Sequence, residues 1–273
     1  MNIAITGATS GIGLETARAL LEKGHQLIFL VRNTEKAQRI MKDLPNSHNI
    51  NVISCDLADL KSVQQAASAL QKQTAQLDVL INNAGGTFTE RMESKDGYEL
   101  HLAVNHLGHF LLVKNAMEYL KKCQTKVINV SSEAHQAANV DFNDLNLEKN
   151  YSIIKGYGNA KLYNILLTKS LAERGLTSYA LHPGVIDSGF GENLSTFLKI
   201  VWKLGKPFMK STREGASTSI YLAINELDKE KNGQYFKDRK VASCSKQAKS
   251  ESMREKLWQK SEDFTRAYQT EAV

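Results

Sequence analysis

At 273 residues and 42% hydrophobic content, the chain is long enough for one large α/β domain with a buried sheet and short for two. Its formal charge of +6 comes from lysines and arginines interleaved with acids, as in LDKEKNGQYFKDRK, which reads as a solvated surface and shows no nucleic-acid module. The longest apolar runs, such as LIFLV, fall far short of the roughly 20 residues of a membrane helix, and the widely spaced Cys55, Cys123 and Cys244 give neither a disulfide framework nor a metal spacing, so a reducing cytoplasm is expected.

MNIAITGATSG has no basic region of the kind that opens a signal peptide and runs straight into a first strand, NIAIT. From there strands and helices alternate. Helix IGLETARALLEKG leads to strand QLIFLV, TEKAQRIMKDL to NINVISC, and LKSVQQAASALQKQ to LDVLIN. The long GYELHLAVNHLGHFLLVKNAMEYLKK leads to KVINVSS, and NAKLYNILLTKSLAERG to TSYALH. Near-continuous apolar strands separated by helices imply a parallel sheet covered on both faces, with right-handed crossovers. The expected fold is therefore a single doubly wound α/β domain over residues 1–273, with its ligand site at the carboxyl ends of the strands. Beyond the last strand, IDSGFGENLSTFLKIVWKLGKPFMK (residues 186–210) is rich in large apolar side chains such as Phe190, Phe197 and Trp202. SESMREKLWQKSEDFTRAY, about residues 250–268, has the spacing of a helix that packs on the domain or on a partner chain, which leaves a homo-oligomer open.

Right after the first strand comes TGATSGIGLE. Glycines suit that turn because the backbone bends sharply, a pyrophosphate approaches without a Cβ in its way, and the next helix offers free N–H groups. The spacing of Gly7, Gly11 and Gly13 is G-x-x-x-G-x-G rather than G-x-G-x-x-G, and a structural loop is the alternative; the position after strand one favours a nucleotide. The second strand ends FLVRN, with no acid to pair an adenosine ribose and with Arg32 suited to a 2′-phosphate. NADP(H) is the expected cofactor, NAD(H) the second choice, and a solvated loop cation the alternative role of Arg32. Lys36 can assist there, and Glu35 opposes.

NYSIIKGYGNAK holds a tyrosine four residues before a lysine twice, as Tyr151 with Lys155 and Tyr157 with Lys161. An ammonium near a phenol favours the phenolate and makes a general acid/base. From Tyr157 an apolar stripe of Ala160, Leu162, Ile165, Leu166 and Leu171 can pack on the sheet and hold that pair rigidly. Gly156 and Gly158 are expected to interrupt any helix that contains Tyr151 and to leave room beside Tyr157 for cofactor or substrate. Tyr157 is the expected acid/base.

TGATSGIG, NNAG, VNHLGHF, VSS, Y-x-x-x-K and HPG occur in the order of the short-chain dehydrogenase/reductase family, which the chain resembles from Asn2 to about Gly233. It is most similar to the retinol dehydrogenase-like branch, through LDVLINNAG, VNHLGHFLL and AKLYNILLTKSLAERG. The resemblance implies a Rossmann-type domain and four catalytic groups. Tyr157 moves the proton; Lys161 lowers its pKa and holds the nicotinamide ribose; Ser132, rather than Ser131, hydrogen-bonds the substrate oxygen; Asn105 extends a proton relay through water. For the nucleotide it implies Gly7, Thr9, Ser10, Gly11, Ile12 and Gly13 in the turn, Arg32 after strand two, and Asp56 and Leu57 after strand three. Asn83, Ala84 and Gly85 after strand four, Tyr157 and Lys161, and Pro183, Gly184 and Val185 after strand six complete that set. Two departures from the family pattern are Ala160, where a serine usually precedes the lysine, and Ser188, where a threonine is often found. Residues 186–210 correspond to a segment over the substrate, with core packing or an interfacial helix as alternatives. The implied reaction is hydride transfer between the nicotinamide and a small apolar alcohol, aldehyde or ketone. A non-catalytic NADP(H) sensor on the same scaffold is the competing reading, against which the presence of all four groups argues.

Overall fold

A computed structural model describes residues 1–184 and 211–270. Strands β1 (Asn2–Thr6), β2 (Gln26–Val31), β3 (Ile50–Ser54), β4 (Val79–Asn82), β5 (Lys126–Val130), β6 (Thr177–His182) and β7 (Tyr235–Lys237) run parallel, and β8 (Lys240–Val241) returns antiparallel. They form one sheet in the order β3-β2-β1-β4-β5-β6-β7-β8. The order reverses at β1, between β2 and β4, so a crevice opens at the carboxyl ends of β1 and β4.

Helices follow as α1 (Gly11–Glu22), α2 (Thr34–Met41), α3 (Leu60–Gln73), α4 (Leu100–Leu102), α5 (Gly108–Asn115), α6 (Met117–Lys122), α7 (Ile153–Glu173), α8 (Thr212–Ile224) and α9 (Glu251–Thr265). Alternate strand residues point to opposite faces, and both faces are apolar. Ile3, Ile5, Phe29, Ile81 and Ile128 pack with Leu20, Leu21, Ala37 and Leu222 of α1, α2 and α8. Ala4, Ile28, Leu30, Leu80 and Val127 pack with Val63, Phe110, Leu162 and Leu166 of α3, α5 and α7. Burying each of these leucines removes roughly 1.5–3 kcal/mol worth of apolar surface from water, which is why the strands read as near-continuous hydrophobic runs.

Four local outcomes differ from the sequence reading. The long helical run is broken: a π turn, Ala103–Leu107, separates α4 from α5, and Ala116 (φ −100°, ψ 5°) separates α5 from α6. Helix α7 begins at Ile153 rather than Asn159, with the Ser152 hydroxyl accepting from the Lys155 N–H (3.2 Å), so Gly156 and Gly158 lie inside the helix and only Tyr151 stays outside it. Helix α8 was not foreseen, although Ser211 and Glu214 form a capping box at its start. Nor were β7 and β8, which are too short to show a period.

Helix α9 packs on the domain itself. Its Ser261 hydroxyl meets His106 Nε2 at 2.8 Å, the Phe264 carbonyl accepts from the Tyr98 hydroxyl (2.9 Å), and Glu262 pairs with Lys114. Trp258 lies edge-on to Phe110 with the Arg174 guanidinium 3.8 Å over the indole. No described helix is long and apolar enough to cross a membrane. The 186–210 segment, with Ser188, and Val185 lie outside the described residues.

Lys126, at the start of β5, is 8% exposed and donates to the carbonyls of Leu222 (2.9 Å), Ala223 (3.3 Å) and Asn225 (2.8 Å), satisfying the carboxyl end of α8. Lys126→Met leaves those carbonyls without their donor and is expected to cost about 2–3 kcal/mol in urea unfolding.

Candidate active site

The site is built where the turns after β1 and β4 meet. Thr6, the last residue of β1, accepts at its hydroxyl from the N–H groups of Asn83 and Ala84, both at 2.9 Å. The Asn83 amide returns the bond, donating to the carbonyls of Thr6 (2.9 Å) and Gly7 (3.3 Å). A Cβ on Gly13 would lie 2.3 Å from the Gly7 carbonyl and 2.5 Å from Asn83 Nδ2, and one on Gly7 would lie 2.9 Å from Ala84 Cβ. Two of the three glycines thus serve contact between protein segments. Gly11 differs in space: a Cβ there would meet nothing within 4 Å, and its φ of +55°, like the +68° of Gly7, is what favours glycine.

Ser10, extended at the N-cap of α1, makes no side-chain bond to that helix, whereas Asn33, Asp59, Ser152, Ser211 and Ser250 each cap theirs. The first N–H groups and the positive dipole end of α1 therefore face the crevice, which fits a pyrophosphate. Thr9 and Ile12 are half-buried in the same turn, and Ser10 is exposed. Arg32 follows β2 and is exposed, with exposed Glu35 and Lys36 in the first turn of α2. Asp56, after β3, is half-buried and accepts from the Ala58 N–H at 3.0 Å. Leu57 is buried and presses on Gly108, where a Cβ would come within 2.9 Å of it. Pro183 and Gly184 (φ +101°) follow β6. These positions line the carboxyl edge of the sheet and fit a dinucleotide laid across it.

The four candidate catalytic side chains gather beside that edge. Asn105 sits on the π turn, fully buried, and its amide makes both bonds to one residue: Nδ2 donates to the Gly86 carbonyl (2.9 Å) and Oδ1 accepts from the Gly86 N–H (2.8 Å). Gly85 is bare because a Cβ would stand 2.9 Å from Asn105 Oδ1 and 3.4 Å from Lys161 Nζ. Ser132 hydrogen-bonds Tyr157 and accepts from the Ala134 N–H at 3.2 Å. Ser131 is spent elsewhere, donating to the Lys161 carbonyl at 2.6 Å. Lys161 Nζ donates to the Val130 carbonyl (3.1 Å) and lies 5.4 Å from the centre of the Tyr157 ring. Tyr151 gives its proton to the Phe88 carbonyl, and burial pushes its pKa up to about 12.

The space at Gly156 and Gly158 is taken by protein rather than kept for ligand: a Cβ on Gly156 would lie 2.7 Å from His101 Nδ1, and one on Gly158 would lie 3.0 Å from the Ala134 carbonyl. Electrostatics also depart from the sequence reading. Burial raises the Tyr157 pKa, with the Ser132 bond acting the other way, and burial lowers that of Lys161 to about 8. In the chain alone, desolvation outweighs any depression of the phenol by the lysine.

One buried residue was missed. His109 Nε2 lies 3.0 Å from the Thr6 hydroxyl and Nδ1 lies 3.4 Å from the Asn105 carbonyl. The Asn105 carbonyl can only accept, so the ring proton sits on Nδ1 and faces it, and Nε2 accepts from the Thr6 O–H, for which the Ile81 carbonyl at 3.4 Å is the more distant acceptor. Burial, with the Lys161 charge adding to it, pushes the His109 pKa down to about 3 and keeps the ring neutral. The four-residue spacing of Asn105 and His109 in VNHLGH was the available signal.

Lys161 titrates near 8 when folded against 10.5 in the unfolded chain, so the unfolded chain binds more protons between those values and stability rises with pH there. Lys161→Met removes this dependence. In urea titrations without nucleotide, the stability of the native protein minus that of the variant is expected to grow by on the order of 3 kcal/mol from pH 8 to 10.5.

The sequence profile of the short chain dehydrogenase family matches residues 1–198. Retinol dehydrogenase 12 of Homo sapiens is 41% identical over 265 residues, spanning 94% of this chain and 83% of that protein. Retinol dehydrogenase 11 of Homo sapiens is 37% identical over 270 residues, spanning 96% and 85%. Among solved structures, an uncharacterized protein from Mycobacterium Paratuberculosis superposes with a TM-score of 0.79 at 30% identity, over 97% of this chain and 93% of that one. With its nucleotide crevice and its sheet order, the chain belongs to the short-chain dehydrogenase/reductase family, in the retinol dehydrogenase-like branch, and is an NAD(P)(H)-binding oxidoreductase acting on CH–OH groups.

Proposed function

We propose that the protein interconverts a small apolar alcohol and its aldehyde or ketone with NADP(H), Tyr157 serving as general acid/base. The observation that carries this reading is the bond between Ser132 and Tyr157 with the Lys161 ammonium against the same ring. When bound, the nicotinamide accepts or supplies the hydride. The chain's own residues handle the oxygen and its proton. The Ser132 hydroxyl and the Tyr157 phenol hold the substrate oxygen between them, where charge develops, and the phenol gives the proton in reduction or, as phenolate, takes it in oxidation. Lys161, titrating near 8, is mostly an ammonium at neutral pH and favours the phenolate. Among the described residues it has one acceptor, Val130, which leaves two protons for ribose hydroxyls. The Asn105 side chain is spent on Gly86, so a relay through water starts from its main-chain carbonyl, the atom His109 faces.

The NADP(H) preference rests on Arg32, exposed at the end of β2 where no acid stands to repel a 2′-phosphate. The apolar substrate rests on the relatives, which are named for retinol. Unpaired Cys55, Cys123 and Cys244 fit a reducing cytoplasmic setting.

Absorbance loss of NADPH or NADH against aliphatic, aromatic and isoprenoid aldehydes and ketones tests the reading. Turnover preferring NADPH is expected; Tyr157→Phe should lower kcat by at least about 100-fold with the NADPH dissociation constant unchanged, while Lys155→Met remains active. Arg32→Asp is expected to reverse the nucleotide preference. Tight nucleotide binding without turnover of any carbonyl or alcohol in either direction would favour a sensor instead.

A further inference from the structure

A buried acid–histidine pair lies beside the site and has no part in the chemistry above. Glu99 is 1% exposed and His101 fully buried, with His101 Nδ1 at 2.7 Å from Glu99 Oε1. The carboxylate also accepts from the N–H groups of His101 and Leu102, both at 2.9 Å, and so caps α4. A serine serves as cap at α7, α8 and α9, and burying a carboxylate costs far more than burying a hydroxyl. The cap alone does not account for the pair.

What the pair adds is the direction of the imidazole. The Phe88 N–H donates to His101 Nε2 at 3.0 Å, which requires a lone pair there, so the ring proton sits on Nδ1 and points at Glu99. The Phe88 carbonyl accepts from the Tyr151 hydroxyl. Both main-chain polar groups of Phe88 are thus held by two aromatic side chains, which stack on each other with centroids 6.2 Å apart at 27°. His101 also meets the Phe88 ring at 5.1 Å and the edge of Tyr157 at 6.2 Å. The Phe88 ring folds back over Gly86, where a Cβ would stand 2.9 Å from Cζ, and Gly86 is the residue Asn105 holds.

We propose that His101, aimed by Glu99, and Tyr151 are positioning residues that clamp Phe88 as an apolar wall next to the reacting phenol and so set which alcohols and carbonyls are accepted. The inference rests on the activity proposed above. A substrate whose oxygen lies between Ser132 and Tyr157 runs its apolar part past this wall, so loosening Phe88 changes selectivity before it changes nucleotide binding.

The test compares the native protein with His101→Phe, which keeps a ring and removes both nitrogens, with Tyr151→Phe, and with the double variant. Each is assayed with NADPH on a short aliphatic aldehyde and a long isoprenoid aldehyde, together with NADPH affinity, thermal midpoint and hydrogen exchange at the Phe88 amide. In His101→Phe the Phe88 amide is expected to exchange at least tenfold faster. In both single variants the ratio of kcat/KM for the long over the short aldehyde should fall at least fivefold, chiefly through KM, with NADPH affinity within twofold. The double variant should lose no more than the larger single loss, because both side chains act on one residue. An unmoved ratio, additive losses, or NADPH affinity and thermal midpoint falling together in the variants would overturn the clamp. If His101→Phe does not fold, Tyr151→Phe decides by the same ratio. If the native protein turns over no carbonyl with either nucleotide, the activity fails and takes the selectivity role with it; if it is active and the ratio is unmoved, only the clamp fails.

Discussion

The hydroxyl of Thr6 ties this site together. It terminates β1, receives two N–H groups from the turn after β4, and gives its own proton to His109, which in turn faces the Asn105 carbonyl. A buried hydroxyl with both lone pairs and its proton engaged is held in place, because losing either turn N–H leaves a buried donor unmet at a cost of about 1–3 kcal/mol. The nucleotide turn, the Asn83–Gly86 segment and the π turn are therefore placed relative to one another by one atom at the switch point of the sheet. Gly7 and Gly13 have no side chain for the same reason: the turns come too close for a Cβ.

Much of this was legible in the sequence, for physical reasons that differ by element. Strands β1, β2, β4, β5 and β6 were visible because a parallel strand buried on both faces is largely apolar, and β3, at the sheet edge with Asn51 and Ser54 exposed, through its β-branched Ile50, Val52 and Ile53. Helix α3, Leu60–Gln73, follows its apolar period and has an Asp59 cap, so local chemistry alone defines it. The break at Ala103–Leu107 was not legible, because it goes with a bond from Asn105 to Gly86 across 19 residues of chain. The start of α7 was misread since the helix propensity of Gly156 and Gly158 is overridden by close neighbours, His101 and Ala134, that no local window contains. In the site, the glycine turn and the tyrosine–lysine pair announce themselves by spacing. Glu99 and His101 do not, because a buried acid–histidine pair has no signature until its partners are known, and His109 shows only through its four-residue spacing from Asn105.

Burial sets the resting state of the proton machinery. Desolvation moves the Tyr157 pKa up and the Lys161 pKa down, so each group leans toward its neutral form in the chain alone. Both shifts follow from the dry sheet edge that also holds the site in shape. The same packing that fixes the geometry thereby opposes the ionised pair; positive charge brought into the crevice would favour the Tyr157 phenolate and disfavour the Lys161 ammonium.

The bond between His106 and Ser261 spans 155 residues. His106 lies on the π turn next to Asn105, and Ser261 lies in the last helix. A chain made from its amino end completes the nucleotide crevice of β1 and β4 long before that helix exists, so the support on the outer side of the π turn is the last to arrive. During synthesis the half of the site that holds the dinucleotide has all its residues before the half that handles the substrate has its final neighbour.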